Sequence, residues 1–474
     1  MDKAIITFLE SKKISVIEED ISTKLQAWSQ WYKGKVDGFH TYKMYTGKAT
    51  KQKTRLSLNM PARVCQDWAD LLLNEKVEVN CDDEATQQVI DRLLKQVNFF
   101  VRGNNLVERA FALGGGFFIQ YWDGEKTNQK YITQEFMYPI TFDSGKLTEC
   151  AFASSKTIGG KQYTYIETHT RDKNGFYVID NFICKATKNQ LIEVSAKFYE
   201  DHNIAQQFET KSKHPCFQMI RPNIANKDSF DSPFGTSVFS GATDCFKAVD
   251  LVFDAYYKEF KLGQKRIFVK DGVTSFNFDE EGKQVPVFDP NDEVYYSLPE
   301  TDDGEPIKES NMELRIEAFD TGLQTQLNLI SQSCGFGANG YKWESGTVST
   351  ATQIISENSK MFRTLKKHEL LLEAAVIDMV RGLLFFEKNF AKCKGIKEDC
   401  EITVNFDDSI IEDTAEIKRQ ATADLNLGLI SKQEYYRQVY KLSDEQAKAF
   451  AEQMAEEQRE ELEMQGIPEE PPTE

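Results

Sequence analysis

The sequence predicts an α+β protein that is mainly α-helical and contains one block of antiparallel β-structure. Three patterns support this prediction. Apolar residues recur every three or four positions on both sides of the block, as expected for amphipathic helices. Apolar and polar residues alternate from Phe117 to about Val194, as in half-buried strands. One helical pattern is very long and runs from about Ala351 to Asn389. Separately, the total length of 474 residues indicates about three domains.

The region before the β-block is predicted to be helical. A first amphipathic helix is expected from about Pro61 to Glu75, because its apolar residues share one face. These residues are Val64, Trp68, Leu71 and Leu72. The alternation of Val77-Glu78-Val79 predicts a short strand. Two further helices are predicted around residues 89–94 and 106–111.

The β-block is predicted to be an antiparallel meander. Its segments are rich in β-branched and aromatic residues, which strands favour. They read FFIQYW, ECAFASSKTI, QYTYIETHT and FYVIDNFIC. Gly159-Gly160 and Asn174-Gly175 separate them and are typical of hairpin turns.

Two helices enclosing a small module are predicted after the β-block. The first is expected to begin at Ser232-Pro233, interpreted as an N-cap followed by proline at the first helical position, and to end at Gly263. A mixed module follows from about Gln264 to Ile316, with the strand-like runs RIFVK, VPVF and EVYYSL. The second helix is predicted over residues 319–333, and a Gly- and Ser-rich loop follows over residues 335–349.

The helix over Ala351–Asn389 is predicted to begin at a T-x-x-Q capping box formed by Thr350 and Gln353. At 1.5 Å per residue it would span roughly 50 Å or more, a length typical of the spine of an assembly or of a coiled coil. A strand (EITVNF) and two or three short helices are predicted next. The acidic segment from Glu452 to Glu474 predicts a disordered tail.

Composition narrows the class of protein. Hydrophobic residues make up 40% and charged residues 28%, as in ordinary folded proteins, and no run approaches the ~18 apolar residues of a membrane span. The first twenty residues lack a secretion pattern, so we expect no secretion. The nine cysteines include no CxxC pair, and Cys393 with Cys400 is an isolated pair, which predicts reduced, buried thiols in a cytoplasm.

The net charge of −18 argues against tight DNA binding, because proteins that grip DNA neutralise phosphates with Lys and Arg. If this protein handles DNA, it must do so without holding it.

Catalytic motifs are missing from the sequence or lack their structural context. Gly335–Gly340 matches GxGxxG, but a helix precedes the glycines and loop follows, whereas a dinucleotide site needs a strand before them and a helix after. Gly114-Gly115-Gly116 has no following Lys-Ser/Thr, so no P-loop and no ATP-driven motor is predicted.

The five histidines show no metal-binding spacing, and His368-Glu369 in the long helix is expected to be exposed or packed. Asp250 and Asp254, one turn apart, are interpreted as a solvated or inter-subunit polar face. We predict no catalytic residue, no cofactor and no metal site.

The second helix has an unusual surface. Residues 321–341 contain no charged side chain. Neutral polar residues suit a wet surface that neither attracts nor repels a polyelectrolyte strongly. A helix buried in a polar interface is the other interpretation, and the two are compatible.

The order of these elements resembles portal proteins of tailed double-stranded-DNA bacteriophages, of the siphophage type. Four segments carry the resemblance: LNMPARVCQDWADLLLNEKVEV, FGTSVFSGATDCFKAVDLVFDAYYKEFKLGQKRIFV, STATQIISENSKMFRTLKKHE and NFDDSIIEDTAEIKRQATADLNLGLISKQEYYRQVY. No single segment is as specific as a zinc signature, but the ordered set is. The resemblance covers the chain from about Leu58 onward, and the hairpin-rich region contributes little to it.

The resemblance implies the portal fold, with a helical and β-meander wing, a helical stem, a small α/β clip and a helical crown. The implied divisions are a wing at 1–231, a first stem helix at 232–263, a clip at 264–317, a second stem helix at 318–334, a channel loop at 335–350, a spine helix at 351–390, a wing return strand at 391–410, crown helices at 411–455 and an acidic disordered tail at 456–474.

The resemblance also implies a structural, non-enzymatic function. Portal subunits form a closed ring, usually of twelve copies, at one capsid vertex of the virion, after assembly in the cytoplasm of the bacterial host. Double-stranded DNA is packaged and ejected through the central channel, driven by a separate terminase ATPase. The implied partners are the terminase large subunit, head-completion or adaptor proteins, and the major capsid and scaffolding proteins, with no membrane.

Two sets of site residues follow from the resemblance. The clip would dock partners, and its contact residues are expected to be Phe276, Phe278, Val287, Tyr295 and Tyr296. The channel loop would project toward DNA, which it would contact through Gly337, Asn339, Lys342, Trp343 and Ser345.

We expect the loop to be mobile because of its glycines. Lys342 is the only cation between Thr321 and Ala351, and one lysine per subunit would give a weak, sequence-blind phosphate contact. A plain surface connection between helices is the alternative for this loop. For the whole chain, the alternatives are another capsid or head-to-tail structural protein, or a nucleotide-binding enzyme that uses Gly335–Gly340.

Overall fold

The computed structural model of the chain describes most of its residues. The described ranges are 2–45, 49–74, 76–187, 190–270, 276–278, 281–282, 284–286, 295–298, 307–310, 312–338, 340–341, 351–397, 399–406, 414–440, 447–448 and 450–454. For residues 270, 276–278, 284–286, 295–298, 310, 351–358 and 414–417, only the backbone is described.

The N-terminal region combines five helices with a hairpin and one short strand. In chain order these are α1 (Lys3–Ser11), α2 (Ser22–Tyr32), β1 (Thr41–Tyr45), β2 (Thr50–Thr54), α3 (Met60–Leu72), β3 (Glu78–Cys81), α4 (Glu84–Gln96) and α5 (Phe99–Leu113). The helix predicted from Pro61 is α3, which ends at Leu72. The Asp83 side chain caps α4 by accepting from Thr86 N at 2.9 Å, and Lys95 lies in its last turn, where a cation is favourable.

The β-block follows as nine strands and one short α-helix, with a 3-10 turn at Gln134–Phe136 between β5 and β6. These are β4 (Gly116–Trp122), β5 (Thr127–Thr133), β6 (Met137–Asp143), β7 (Lys146–Ile158), β8 (Lys161–Arg171), β9 (Tyr177–Ala186), β10 (Leu191–Glu193), α6 (Ala196–Asp201), β11 (Gln207–Glu209) and β12 (Phe217–Ile220). Gly159 and Gly160, both with positive φ, close the β7–β8 hairpin as predicted.

The predicted single meander is wrong in one respect, because the block forms two sheets. One sheet has the order β10-β9-β8-β7-β6, with β11 also paired to β9. The other has the order β12-β4-β5, so a strand from beyond the meander pairs with its first strand. Period-two alternation identifies strands but does not indicate which strands pair.

The helix predicted to begin at Ser232-Pro233 begins at Thr243 instead, as α7 (Thr243–Leu262). The intervening segment buries Phe234 and Phe239 and packs against the end of α5. There Val238 N donates to the Phe111 carbonyl at 2.9 Å. This N–H group is therefore used in a contact between distant parts of the chain and not in a hydrogen bond of a local helix.

The module between the predicted helices contains short strands. These are β13 (Arg266–Lys270), β14 (Phe276–Phe278), β15 (Gln284–Pro286), β16 (Tyr295–Leu298) and β17 (Ile307–Ser310). β13 pairs in parallel with β16 and antiparallel with β17, while β14 and β15 form a separate antiparallel pair. The three predicted strand-like runs each overlap a strand: RIFVK overlaps β13, VPVF overlaps β15 and EVYYSL overlaps β16.

The remaining elements are α8 (Ile316–Ser333), α9 (Ala351–Asn389), β18 (Ile402–Asn405), α10 (Thr414–Asn426) and α11 (Lys432–Tyr440). With 39 residues, α9 is roughly 58 Å long, and its bounds are those predicted from the sequence. The side chains of the predicted capping box, Thr350 and Gln353, lie outside the described residues. β18 pairs with β3, which returns the chain to the N-terminal helices.

The largest core cluster joins the N-terminal helices to α7, α8 and α9. Trp68 on α3 is fully buried within it, together with Phe246 of α7, Ile330 of α8 and Val376 of α9. No helix among the described residues has both the length and the apolar character of a membrane span.

Candidate functional site: the helix pair and the loop that follows it

Helices α7 and α8, called the helix pair below, pack antiparallel and enclose the small module. The Tyr256 and Phe319 rings are 5.7 Å apart. Where α8 begins, the Arg315 guanidinium contacts both carboxylate oxygens of Glu259, at 3.0 and 2.8 Å. Hydrogen bonding to Arg315 lowers the pKa of Glu259. This contact lies where the chain enters and leaves the module.

The interpretation of Asp250 and Asp254 as a solvated or inter-subunit face is wrong. The two residues are only 1% and 4% exposed. Asp250 accepts hydrogen bonds from Ser57 Oγ at 2.8 Å and Leu58 N at 2.9 Å. Asp254 accepts from Leu56 N at 3.2 Å and pairs with Lys258. The carboxylates therefore fix the chain after β2 to α7, a role that their spacing in sequence could not reveal.

His40 completes this buried network. Val36 N–H donates to His40 Nδ1 at 2.9 Å, so the ring proton lies on Nε2. Nε2 in turn lies 2.9 Å from Asp250 Oδ2 and donates to it. The base of the β1–β2 hairpin is thus held to the helix pair from both of its strands.

Large apolar side chains remain exposed on the helix pair of the single chain. Leu251 and Leu262 lie about three turns apart on one face of α7 and are 52% and 59% exposed. Leu329, on the uncharged part of α8, is 42% exposed. Each of these side chains is a candidate for contact with another surface.

The first part of the loop after α8 is packed, which differs from the mobility predicted from its glycines. Gly335 and Gly337 have φ values of +96° and +87°, a left-handed conformation that glycine adopts without strain. A Cβ atom on Gly335 would lie 2.9 Å from Thr364 Cγ2 on α9. Trp68 Nε1 donates to the Cys334 carbonyl at 3.0 Å and fixes the end of α8.

Aromatic stacking continues this packing. The Phe336 ring stacks on Trp68 at 4.4 Å and meets Tyr341 edge to face at 5.5 Å. Gln324 of α8 donates to the Tyr341 carbonyl at 2.9 Å, and Gly340 N donates to Ser331 Oγ at 3.0 Å. Burial raises the pKa of the Tyr341 phenol. The described start of the loop is therefore anchored to α3 and α8.

This geometry argues against nucleotide binding by the GxGxxG match. The segment follows the C-terminus of a helix, and Phe336 within it is 5% exposed between aromatic rings. A dinucleotide site would need a strand before the glycines and a helix N-terminus after them to face the pyrophosphate.

His368, predicted to be exposed or packed, is packed beneath the loop. It is 2% exposed and meets Trp68 and Phe111 edge to face, both at 5.0 Å. Asn223 N donates to His368 Nδ1 at 2.9 Å. Burial lowers the pKa of His368 to about 4. The neutral ring is therefore part of the support on which the loop rests.

The predicted site residues fall in two groups. Gly337 belongs to the anchored start of the loop, whereas Asn339, Lys342, Trp343 and Ser345 lie outside the described residues. Among the predicted clip residues, Phe276 and Phe278 lie on β14, Tyr295 and Tyr296 lie on β16, and Val287 is outside the described residues.

One cluster of potential ligands escaped the sequence interpretation, which paired Cys400 with Cys393. Donor atoms of Cys81, Asp82 and Cys400 lie within 4.8 Å of one another, because β3 pairs with β18. Burial and the neighbouring Cys81 thiol raise the pKa of Cys400 to about 11, and Lys397 Nζ lies 3.1 Å from the Asp82 carboxylate. A protonated Cys400 thiol beside a carboxylate that is already paired with Lys397 is poorly prepared to bind a metal ion.

Comparison with known proteins identifies the family. The chain matches the family described as phage portal protein, SPP1 Gp6-like, over residues 11–464. A solved structure of the neck of a native GTA particle, computed with C12 symmetry, aligns with 13% identity and a TM-score of 0.42, covering 79% of this chain and 88% of that one. No curated protein matches.

The chain belongs to the phage portal protein family, because the family match extends over nearly its whole length. The resemblance inferred from the ordered motifs is confirmed. The protein is a structural portal subunit, and its family is a structural and not an enzymatic one.

Proposed function

We propose that copies of this chain form a closed ring at one vertex of a phage capsid, around a channel through which double-stranded DNA is packaged and ejected. The family match over residues 11–464 carries this proposal. The ring would contain about a dozen subunits, as the resemblance implies. It would be assembled in the host cytoplasm and retained in the virion, next to the major capsid and scaffolding proteins.

The helix pair supports self-assembly. Leu251, Leu262 and Leu329 are exposed in the single chain, and burying each against a neighbouring copy would contribute about 1.5–3 kcal/mol. The uncharged surface of α8 fits either a polar interface or a channel wall.

The charge of the protein supports passage of DNA without retention. A net charge of −18 per copy repels phosphates over most of the surface. We propose that the loop beyond Tyr341 supplies a weak contact through Lys342, with its anchored start setting the direction in which the loop leaves α8.

We propose that the module between α7 and α8 docks the terminase large subunit and, later, the head-completion proteins. Its position supports this role, because a module joined to an antiparallel pair of helices lies at one end of that pair. Glu259 and Arg315 close the base of the module, so it can act as a unit. The chain would have no catalytic step of its own, and the energy for packaging would come from the terminase.

Light scattering coupled to size-exclusion chromatography tests ring formation. The expected mass is a fixed high multiple of 54.3 kDa over a range of protein and salt concentrations, although a monomer can coexist with it. A mass of one subunit under every condition would contradict the proposal.

A further inference from the structure

The β1–β2 hairpin (Thr41–Thr54), called the basic hairpin below, has a charge opposite to that of the chain. Residues 41–55 contain four lysines and one arginine and no acidic residue, in a protein whose net charge is −18. Such a local reversal of sign is a feature of surfaces that bind an anionic partner.

Three lysines of the basic hairpin have no partner among the described residues. Lys43, Lys51 and Lys53 are all exposed, and no ion pair or hydrogen bond engages their side chains in the described part of the chain. Arg55 is used differently, since it donates to the Phe39 carbonyl at 2.6 Å and lies 4.2 Å from the Phe39 ring centroid. The arginine supports the fold, whereas the lysines face solvent.

The base of the basic hairpin is fixed, although the hairpin forms a separate two-stranded sheet. Two-stranded hairpins are at best marginally stable alone in water. Here His40 precedes β1 and contacts Asp250, while Leu56 and Leu58 follow β2 and donate to Asp254 and Asp250. The buried carboxylates Asp250 and Asp254 of α7 therefore hold both ends of the basic hairpin, while its two strands extend into solvent.

The side chains along the ribbon suit phosphate groups. Lys51 and Lys53 lie opposite Met44 and Tyr42 on one face, roughly 7 Å apart, and Lys43 lies on the other face. The remaining residues of both strands are largely Thr, Gln and Tyr, which also contact DNA backbones. Protein interfaces are depleted in Lys and favour Arg, so this composition favours a nucleic acid over a protein surface.

We propose that the basic hairpin is a second, sequence-blind contact site for double-stranded DNA, bound through its phosphate backbone by Lys43, Lys51 and Lys53. This inference rests on the proposed function only in taking DNA as the anionic polymer that the protein meets. The contact is separate from the loop after α8, and it is weak because the rest of the surface is acidic.

Fluorescence anisotropy with a short random-sequence duplex, measured over a series of low salt concentrations, tests this site on the full-length protein. The variant carries Lys43→Gln, Lys51→Gln and Lys53→Gln together. Each lost phosphate contact reduces the magnitude of the negative slope of log K against log salt by about 0.9, so we expect this magnitude to fall by about 2 to 3 in the variant. The matched control, Lys161→Gln with Lys173→Gln and Lys185→Gln, removes three other exposed lysines and should keep the wild-type slope.

The other outcomes are distinct. An unchanged slope in the hairpin variant overturns the proposal. If the slope is unchanged while ring mass falls, the partner of the hairpin is the acidic surface of a neighbouring copy. If only the solubility of the hairpin variant falls, while the slope and the ring mass stay unchanged, the lysines protect the strand edges from aggregation and the proposal is overturned. A wild-type protein that forms no ring would instead contradict the proposed portal function. Failure of the DNA-binding proposal and failure of the portal proposal are therefore distinguishable.

Discussion

Asp250 accepts three hydrogen bonds while almost fully buried, and each donor comes from residues 40–58. Asp250 and Asp254 look like a polar surface pair in the sequence because two carboxylates lie one helical turn apart. Apart from Lys258, their partners are about 200 positions away, so no local pattern could have revealed the network. Individual buried polar contacts are the part of the site that the sequence predicts least well.

Replacing Asp250 by alanine should lower the free energy of unfolding by about 2–4 kcal/mol, because it leaves buried donors of His40 and Leu58 without an acceptor. Urea unfolding at a fixed protein concentration measures this loss. Asp244→Ala is the matched control on the same helix, since the Asp244 side chain is 93% exposed, and its effect should stay within about 0.5 kcal/mol. Equal effects of the two substitutions would contradict the role given to Asp250.

His368 should make the stability of the protein depend on pH. Its pKa is about 4 when folded and about 6.5 when unfolded, so the unfolded chain binds more protons between these values. The neutral His368 ring contributes fully to the free energy of unfolding above about pH 6.5. This contribution, roughly 3 kcal/mol in total, is lost as the pH falls toward 4.

Unfolding midpoints of wild type and His368→Gln, measured from pH 7 down to pH 4, test this expectation. The variant should lose less stability over that interval, and His202→Gln, at an exposed position, should follow the wild type. Parallel pH profiles for wild type and His368→Gln would show that the buried ring does not set the pH dependence.

At the scale of elements, the sequence predicted long, strongly periodic segments well and tertiary pairing poorly. The bounds of α9 were predicted because its apolar series is continuous over 39 residues. The start of α7 was missed because the backbone of residues 234–242 bonds in local turns, to side chains and, through Val238 N, to α5, and such bonds leave no periodic signal. The pairing of β12 with β4 was missed for the same reason.

The loop after α8 illustrates the same limit. Its glycines suggested mobility throughout, yet Gly335 and Gly337 serve a tight left-handed turn against Trp68 and α9. The sequence contains the aromatic residues of this anchor but does not show that Trp68 and Phe336 meet. The contact of Lys342 with DNA remains a prediction.

Changing Lys342 to Glu should leave ring assembly intact and reduce packaging efficiency or the retention of packaged DNA. The expected cause is the loss of one weak phosphate contact per subunit and its replacement by repulsion. Packaged genome length and full-head yield measure the effect, with Lys161→Glu as a control for the same change in charge. If Lys342→Glu particles package and retain full genomes as the wild type does, the contact assigned to Lys342 is wrong, while the family identity stands.

At the scale of the whole molecule, the ordered motifs predicted the family before any contact was known. Composition also predicted a protein without tight DNA binding, and the proposed roles of the basic hairpin and the loop agree with that, since each offers few cations in a chain of net charge −18. The division into wing, stem, clip and crown remains a prediction, because it depends on how neighbouring copies and partners are arranged.

The central claim is that this chain is the repeating unit of a ring with an open channel. Electron microscopy of the purified full-length protein tests it most directly. We expect end-on views with about twelve-fold symmetry and a central opening wide enough for a DNA duplex. Particles that are uniformly single subunits, or closed assemblies without a central opening, would contradict the account.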